Sequence, residues 1–151
     1  MTQPIIKTLV VNVTADKAFD VFVNRIANWW PLDSHAVSAS HGKSALAVTV
    51  EPKVNGAIYE TLFDGLRADW GRVLEFLPGQ RFAMTWHPGS DADRSTRVEV
   101  VFEKQGLDRT LVTLTHSGWE IWTSEATEKR GNYDRGWDHV LERCFAGAVD
   151  E

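Results

Sequence analysis

The sequence predicts an α+β fold, a curved antiparallel sheet of six to seven strands covered by helical segments near the two ends of the chain. Asn55-Gly56, Asp64-Gly65, Pro78-Gly79, Pro88-Gly89 and Gly106 punctuate the stretch from Ala45 to His116. Between these turn signals lie strand-forming runs, each about one strand long, which is the pattern of a meander of hairpins. Helical periodicity is confined to the segments before and after that stretch. A curved sheet gripped by a long helix encloses an elongated cavity, so the architecture points to a small-molecule site.

The first strand is read from Ile5 to Val13, with Ile5, Leu9, Val11 and Val13 on one face interrupted only by Lys7. Thr14 then stands at an N-cap position, and Asp16 in the first turn complements the helix dipole. Phe19, Phe22, Val23 and Ile26 form one apolar stripe, and Trp29-Trp30-Pro31 ends the helix because the residue before proline is driven out of helical geometry. Pro31 to Ser44 reads as a long loop, a candidate lid, with a partly helical or a disordered segment as the alternatives.

The meander strands are placed at 46–50, 57–63, 66–76, 81–86, 96–103 and 110–116. Strict alternation puts Trp70, Arg72, Leu74 and Phe76 on one face of the third of these, and Phe82, Met84 and Trp86 on one face of the next. Trp137, Val140, Leu141, Cys144, Phe145 and Ala148 make the apolar stripe of a long final helix. A shorter helical piece over 124–129 precedes it, with a break or bend expected at Gly131-Asn132.

The 151 residues, 43% hydrophobic and 25% charged, suit a single domain spanning 1–151. A net charge of -5 without any Lys/Arg run argues against nucleic acid as a partner, because phosphate binding needs clustered cations. No apolar stretch is long enough for membrane insertion, and the N-terminus lacks a signal-peptide pattern, so a cytoplasmic location is expected. Cys144 is the only cysteine, which rules out an intramolecular disulfide. Phosphate-binding and dinucleotide fingerprints are lacking, and no cofactor is expected. His35 and His41, with Asp33 nearby, have no further ligand cluster, and no metal site is expected.

The order strand, helix, loop, meander, long helix carries specific sequence words. They are Ala15–Phe22, Trp29-Trp30-Pro31, Gly56 with Tyr59-Glu60, Asp69–Phe76 running into Pro78, Arg81-Phe82 with Thr85-Trp86, Val112–Trp119, and Gly136-Trp137. In this order the chain resembles the START-like (SRPBCC) helix-grip superfamily. Within it, the chain is similar to the bacterial proteins related to the heat-shock protein 90 ATPase activator. The resemblance implies a helix-grip fold with a cavity between the sheet and the C-terminal helix. The superfamily includes lipid and hormone carriers and polyketide aromatases and cyclases, and its sites vary from branch to branch.

His116 follows Val112 and Leu114 on one strand face, from which it would enter the cavity and move a proton or orient a ligand. Its alternative is a structural histidine bonded to the start of the C-terminal helix. Glu60 and Arg72 each sit in an apolar strand, where they would pair as a polar end of the cavity or else face solvent. Tyr59 and Glu60 point to opposite faces, so one of them lines the cavity. Trp30, Trp70, Trp86, Trp119 and Trp137 are the expected walls, with Leu141 and Cys144 from the helix. The resulting reading is a protein that binds a small hydrophobic or aromatic molecule. The alternatives are a cyclase/aromatase-type enzyme using His116 or Glu60, and a chaperone ATPase-stimulating domain. A homodimer is compatible with this number of tryptophans.

Overall fold

A computed structural model describes residues 3–150. Met1, Thr2 and Glu151, part of the expected domain of 1–151, lie outside the described residues. The strands β1 (Ile5–Val11), β2 (Ala47–Val50), β3 (Ala57–Thr61), β4 (Arg67–Leu77), β5 (Arg81–Trp86), β6 (Thr96–Gly106) and β7 (Arg109–Ser117) form one antiparallel sheet. Its order is β1-β7-β6-β5-β4-β3-β2, a meander whose far edge is completed by the first strand. The sheet curls around the C-terminal helix, which is the helix-grip arrangement that the resemblance implies.

Thr14 Oγ1 accepts from the Lys17 amide at 3.2 Å and caps α1 (Ala15–Phe19). The chain continues through a wide π turn (Asp20–Asn24) into α2 (Ile26–Trp29), which ends where Trp30 turns extended ahead of Pro31. At the other end a 3-10 turn (Trp119–Glu125) kinks at Thr123, where φ is 49°. α3 (Ala126–Asp138), a π turn (His139–Phe145) and α4 (Ala146–Val149) follow. The expected break at Gly131-Asn132 does not occur, since α3 runs straight through it. Tertiary contacts outweigh the ~1 kcal/mol helix penalty of glycine. Lys7 forks between Asp134 and Asp138, at 2.8 Å from each, and Arg130 binds the carbonyls of Gln3 and Pro4. Lys7 thus interrupts the apolar face of β1 because it reaches this helix.

The core has two ends. Phe19 packs edge-on against Phe76, Phe82 and Phe102, and Phe22 against Phe102 and Phe145, locking α1 and the C-terminal helix onto the sheet. The opposite end is built of tryptophan.

Strict alternation fails in β4. Ile58 pairs with Gly71 but Tyr59 with Asp69, leaving Trp70 as an extra residue. Val73 pairs with Met84 but Glu75 with Ala83, leaving Leu74 extra. These bulges reset the faces. Trp70 and Val73 are fully buried and Phe76 packs on the core, while Arg72 and Leu74 face outward. The expectation that Trp70, Arg72, Leu74 and Phe76 share a face is therefore corrected. Gly71 sits where a Cβ would lie 1.9 Å from the Thr85 carbonyl oxygen, a contact that backbone must move to relieve. Gly71→Ala is expected to lower the unfolding free energy by about 2–3 kcal/mol in urea denaturation. An unchanged midpoint would contradict this close approach.

Candidate functional site

The local sequence of the lid explains the site. Pro31 starts a turn in which the Ser34 and His35 amides bond back to the Pro31 carbonyl, and a 3-10 turn (Val37–His41) follows, ended by Gly42 at φ 69°. The segment is pinned from beneath by Glu60. One carboxylate oxygen accepts from the Val37 amide at 2.7 Å and from Trp70 Nε1 at 3.1 Å. The other accepts from the Ser38 amide at 2.9 Å and Ser38 Oγ at 2.8 Å. Glu60 and Ser38 are both fully buried, and four donors converge on a group that only accepts. Glu60 therefore fastens the lid to β3 and does not reach the space above it.

That space is a cavity of about 440 Å³. Its floor is Trp30, Trp86 and Trp137; Tyr133, Gly136 and Val140 of the C-terminal helix form one side. Ser34, His35, Ala36, Val37 and Ser40 form the lid side, and Pro88 and Gly89 the rim. The floor is rigid. Trp30 touches Trp70, Trp86 and Trp137 with ring centroids 5.2, 5.9 and 5.9 Å apart, and Trp86 lies 5.5 Å from Trp137. An apolar, aromatic floor thus faces a lid side that carries the polar groups of Ser34, His35 and Ser40.

His116 lies one layer deeper. Trp137 Nε1 donates to His116 Nδ1 at 3.0 Å. Because an indole nitrogen only donates, the imidazole proton sits on Nε2 and is given to Thr96 Oγ1 at 2.6 Å. The Thr96 hydroxyl in turn donates to the Trp86 carbonyl at 3.2 Å. The ring is fully buried, tilted by 40° against Trp119 with ring centroids 4.2 Å apart, and burial depresses its pKa from 6.5 to about 3. It is a neutral strut that aligns β7, β6 and the C-terminal helix.

Of the expected wall residues, Trp30, Trp86 and Trp137 come together on the cavity. Trp70, Glu60, His116 and Trp119 form the layer behind. Leu141 is buried in the core, and Cys144 is half-buried with Sγ 3.7 Å from His139 Nε2, its thiol pKa raised by burial and then by Asp33. Tyr59 lies under the Arg67 guanidinium, 4.0 Å from its ring centre, on the far face. Arg72 is exposed and donates to the Asn55 carbonyl at 3.0 Å, so of the two readings offered for it the solvent-facing one holds, and Glu60 and Arg72 do not pair. The first β4 bulge separates them.

Sequence reasoning missed Tyr133 and weighed His35 only as a metal ligand. Tyr133 falls four residues before Trp137 on the same helical stripe, a signal hidden by reading a break at Gly131-Asn132. His35 stacks on His139 with ring centroids 5.1 Å apart and shares a 2.7 Å hydrogen bond with Ser34. Burial, reinforced by His139 and opposed by Asp33, lowers its pKa. His41 instead packs on Phe63, and among the described residues no three metal-ligating side chains converge. Nor, among them, is any helix long and apolar enough to cross a membrane.

The model of the family described as Activator of Hsp90 ATPase homolog 1-like protein matches residues 12–148. Among solved structures, an anthrahydroquino-gamma-pyrone synthase complexed with SUM is 35% identical over 84% of this chain and 84% of that one, with TM-score 0.60. The self-sacrificing resistance protein CalC from Micromonospora echinospora shares the fold at 19% identity, over 97% and 94% of the two chains, with TM-score 0.66. An HSP90 activator from Plasmodium falciparum does so at 20% identity over 77% and 73%, with TM-score 0.52. No curated protein matches the chain.

Proposed function

The chain belongs to the family of Activator of Hsp90 ATPase homolog 1-like proteins, and we propose that this member binds a small apolar or aromatic molecule between its lid and its C-terminal helix. The observation that carries this reading is the cavity of about 440 Å³ floored by three indoles. That volume falls in the range of small-molecule sites, and no Lys or Arg stands on its wall. The name of the 35%-identical synthase denotes a fused aromatic product, which supports an aromatic ligand.

The same relative favours a second reading, in which the cavity holds a reactive chain in one conformation and an enzyme acts on it. His35, the imidazole on the wall, then takes the proton-transfer role expected of His116 or Glu60.

The test is titration of the protein's tryptophan fluorescence with fatty acids, polycyclic aromatics and polyketide mimics, followed by calorimetry on the best binder. Saturable binding is expected from the aromatic class. Ala36→Phe, which places a ring in the cavity from the lid side, is expected to weaken affinity by about tenfold or more while the fold is retained. Unchanged affinity in Ala36→Phe would place the ligand elsewhere. No response across the panel would remove the binding reading and favour a chaperone ATPase-stimulating role.

A further inference from the structure

Four indoles cluster at the cavity end of the core: Trp30, Trp70, Trp86 and Trp137. Buried indole nitrogens almost always find an acceptor. Trp30 Nε1 donates to the His35 carbonyl at 2.7 Å, Trp70 Nε1 to Glu60, and Trp137 Nε1 to His116. Trp86 Nε1 is the exception: in a side chain only 4% exposed, it meets hydrogen-bond geometry with no partner among the described residues. Leaving such a donor unpaired is costly, and a buried group of this kind calls for an explanation.

Trp86 lines the cavity beside Tyr133, with the two rings edge-to-face at 6.4 Å. Burial raises the Tyr133 pKa, so the phenol stays protonated at neutral pH and can donate. The Trp86 N–H is near enough to the phenol oxygen to oppose that rise in part, although the two do not meet hydrogen-bond geometry. Two donors therefore stand side by side on the aromatic side of the cavity, across from the lid. No carboxylate or cation of the wall competes for them.

We propose that the Trp86 indole N–H and the Tyr133 hydroxyl form a paired donor site for a carbonyl oxygen carried by a planar aromatic ligand. Two donors match the two lone pairs of a carbonyl. A carboxylate would enter without a cation to offset its burial, and a hydrocarbon would leave both donors unpaired. This inference rests on reading the cavity as a ligand site and specifies the polar handle that the ligand must carry.

The experiment compares fluorenone with fluorene, two flat tricycles that differ in one carbonyl oxygen. Wild type is expected to bind fluorenone about tenfold or more tighter than fluorene, because a site built to donate rejects the analogue that cannot accept. Tyr133→Phe is expected to cut that preference severalfold, by weakening fluorenone and by sparing fluorene the burial of an unpaired hydroxyl. Infrared spectra of bound fluorenone in wild type supply a readout that does not depend on the variant folding. The carbonyl stretch should lie below its value in an apolar solvent. Equal affinity for the two tricycles, or an unshifted carbonyl stretch, would overturn the donor site while leaving the cavity reading intact. Failure of both compounds to bind would overturn the two together.

Discussion

Glu60→Ala is expected to destabilise the protein by about 3–5 kcal/mol, the range for removing one partner from a buried, fully bonded charged group. Four donors lose their acceptor at once: the Val37 and Ser38 amides, Ser38 Oγ and Trp70 Nε1. Those of Ser38 and Trp70 have no route to water, because Glu60, Ser38 and Trp70 are fully buried, whereas the Val37 amide is only half-buried. For a chain of this size the loss corresponds to a fall in Tm of about 6–20 °C. Glu60→Gln should fall between, since its amide replaces one acceptor oxygen with a donor that faces other donors. Hydrogen exchange gives the local signature. The Val37 and Ser38 amides should lose protection in both variants before the amides of β5 and β6 do. A variant within 1 kcal/mol of wild type would mean that the lid is held by something other than this carboxylate.

The second large effect is a loss of stability in acid that passes through His116. In the folded protein its pKa is pushed from 6.5 to about 3, so the unfolded chain binds the extra proton across that interval. Stability is therefore complete above pH 6.5, falls as the pH drops, and has lost this contribution by about pH 3. The whole interval amounts to on the order of 5 kcal/mol, with roughly 2 kcal/mol of it between pH 6.5 and 5, above the range where ordinary carboxylates titrate. The geometry gives the reason. A proton on Nδ1 would oppose the Trp137 N–H, donor against donor, at a contact of 3.0 Å. His35, whose pKa is also lowered, adds a smaller effect of the same sign. Chemical denaturation at pH 7 and pH 5 should show this slope in wild type and most of it missing in His116→Gln. Equal slopes in the two proteins would contradict it.

The fold was legible because punctuation and periodicity agreed. Asn55, Gly65, Gly79 and Gly89 all adopt positive φ at the turns that their residue types announce, and the strands between them follow. Thr14 caps its helix as a threonine before Asp16 should. Two features were decided by distant partners and left no local trace. The β4 bulges depend on how closely Gly71 approaches the Thr85 carbonyl, a residue fourteen positions away on β5. The continuity of α3 depends on Lys7 and Arg130 tying that helix to the first strand, against the local preference of Gly131-Asn132.

The candidate site was legible in part for the same reason. Trp30, Trp86 and Trp137 come together on the cavity because a proline stop, a strand end and a helical stripe each fixed their direction. Glu60 and His116 do face the inner side of the sheet, but alternation says nothing of depth. Trp137 and Tyr133 lie between His116 and the cavity, and the lid backbone lies over Glu60. Arg72 was misdirected by the bulge at Trp70. Tyr133 needed an unbroken helix, and His35 needed the lid to fold back on the C-terminal helix.

The most direct test of ligand binding in this cavity is a nitrogen–proton correlation spectrum of the indole N–H groups, recorded while the best aromatic binder is titrated in. The resonances of Trp30, Trp86 and Trp137 should move together and saturate at one ligand per chain. Those of Trp29, bonded to the Val21 carbonyl, and Trp119, bonded to the His116 carbonyl, should stay in place. Saturable shifts confined to Trp29, Trp119 or Trp122, or no shifts at all, would contradict the account.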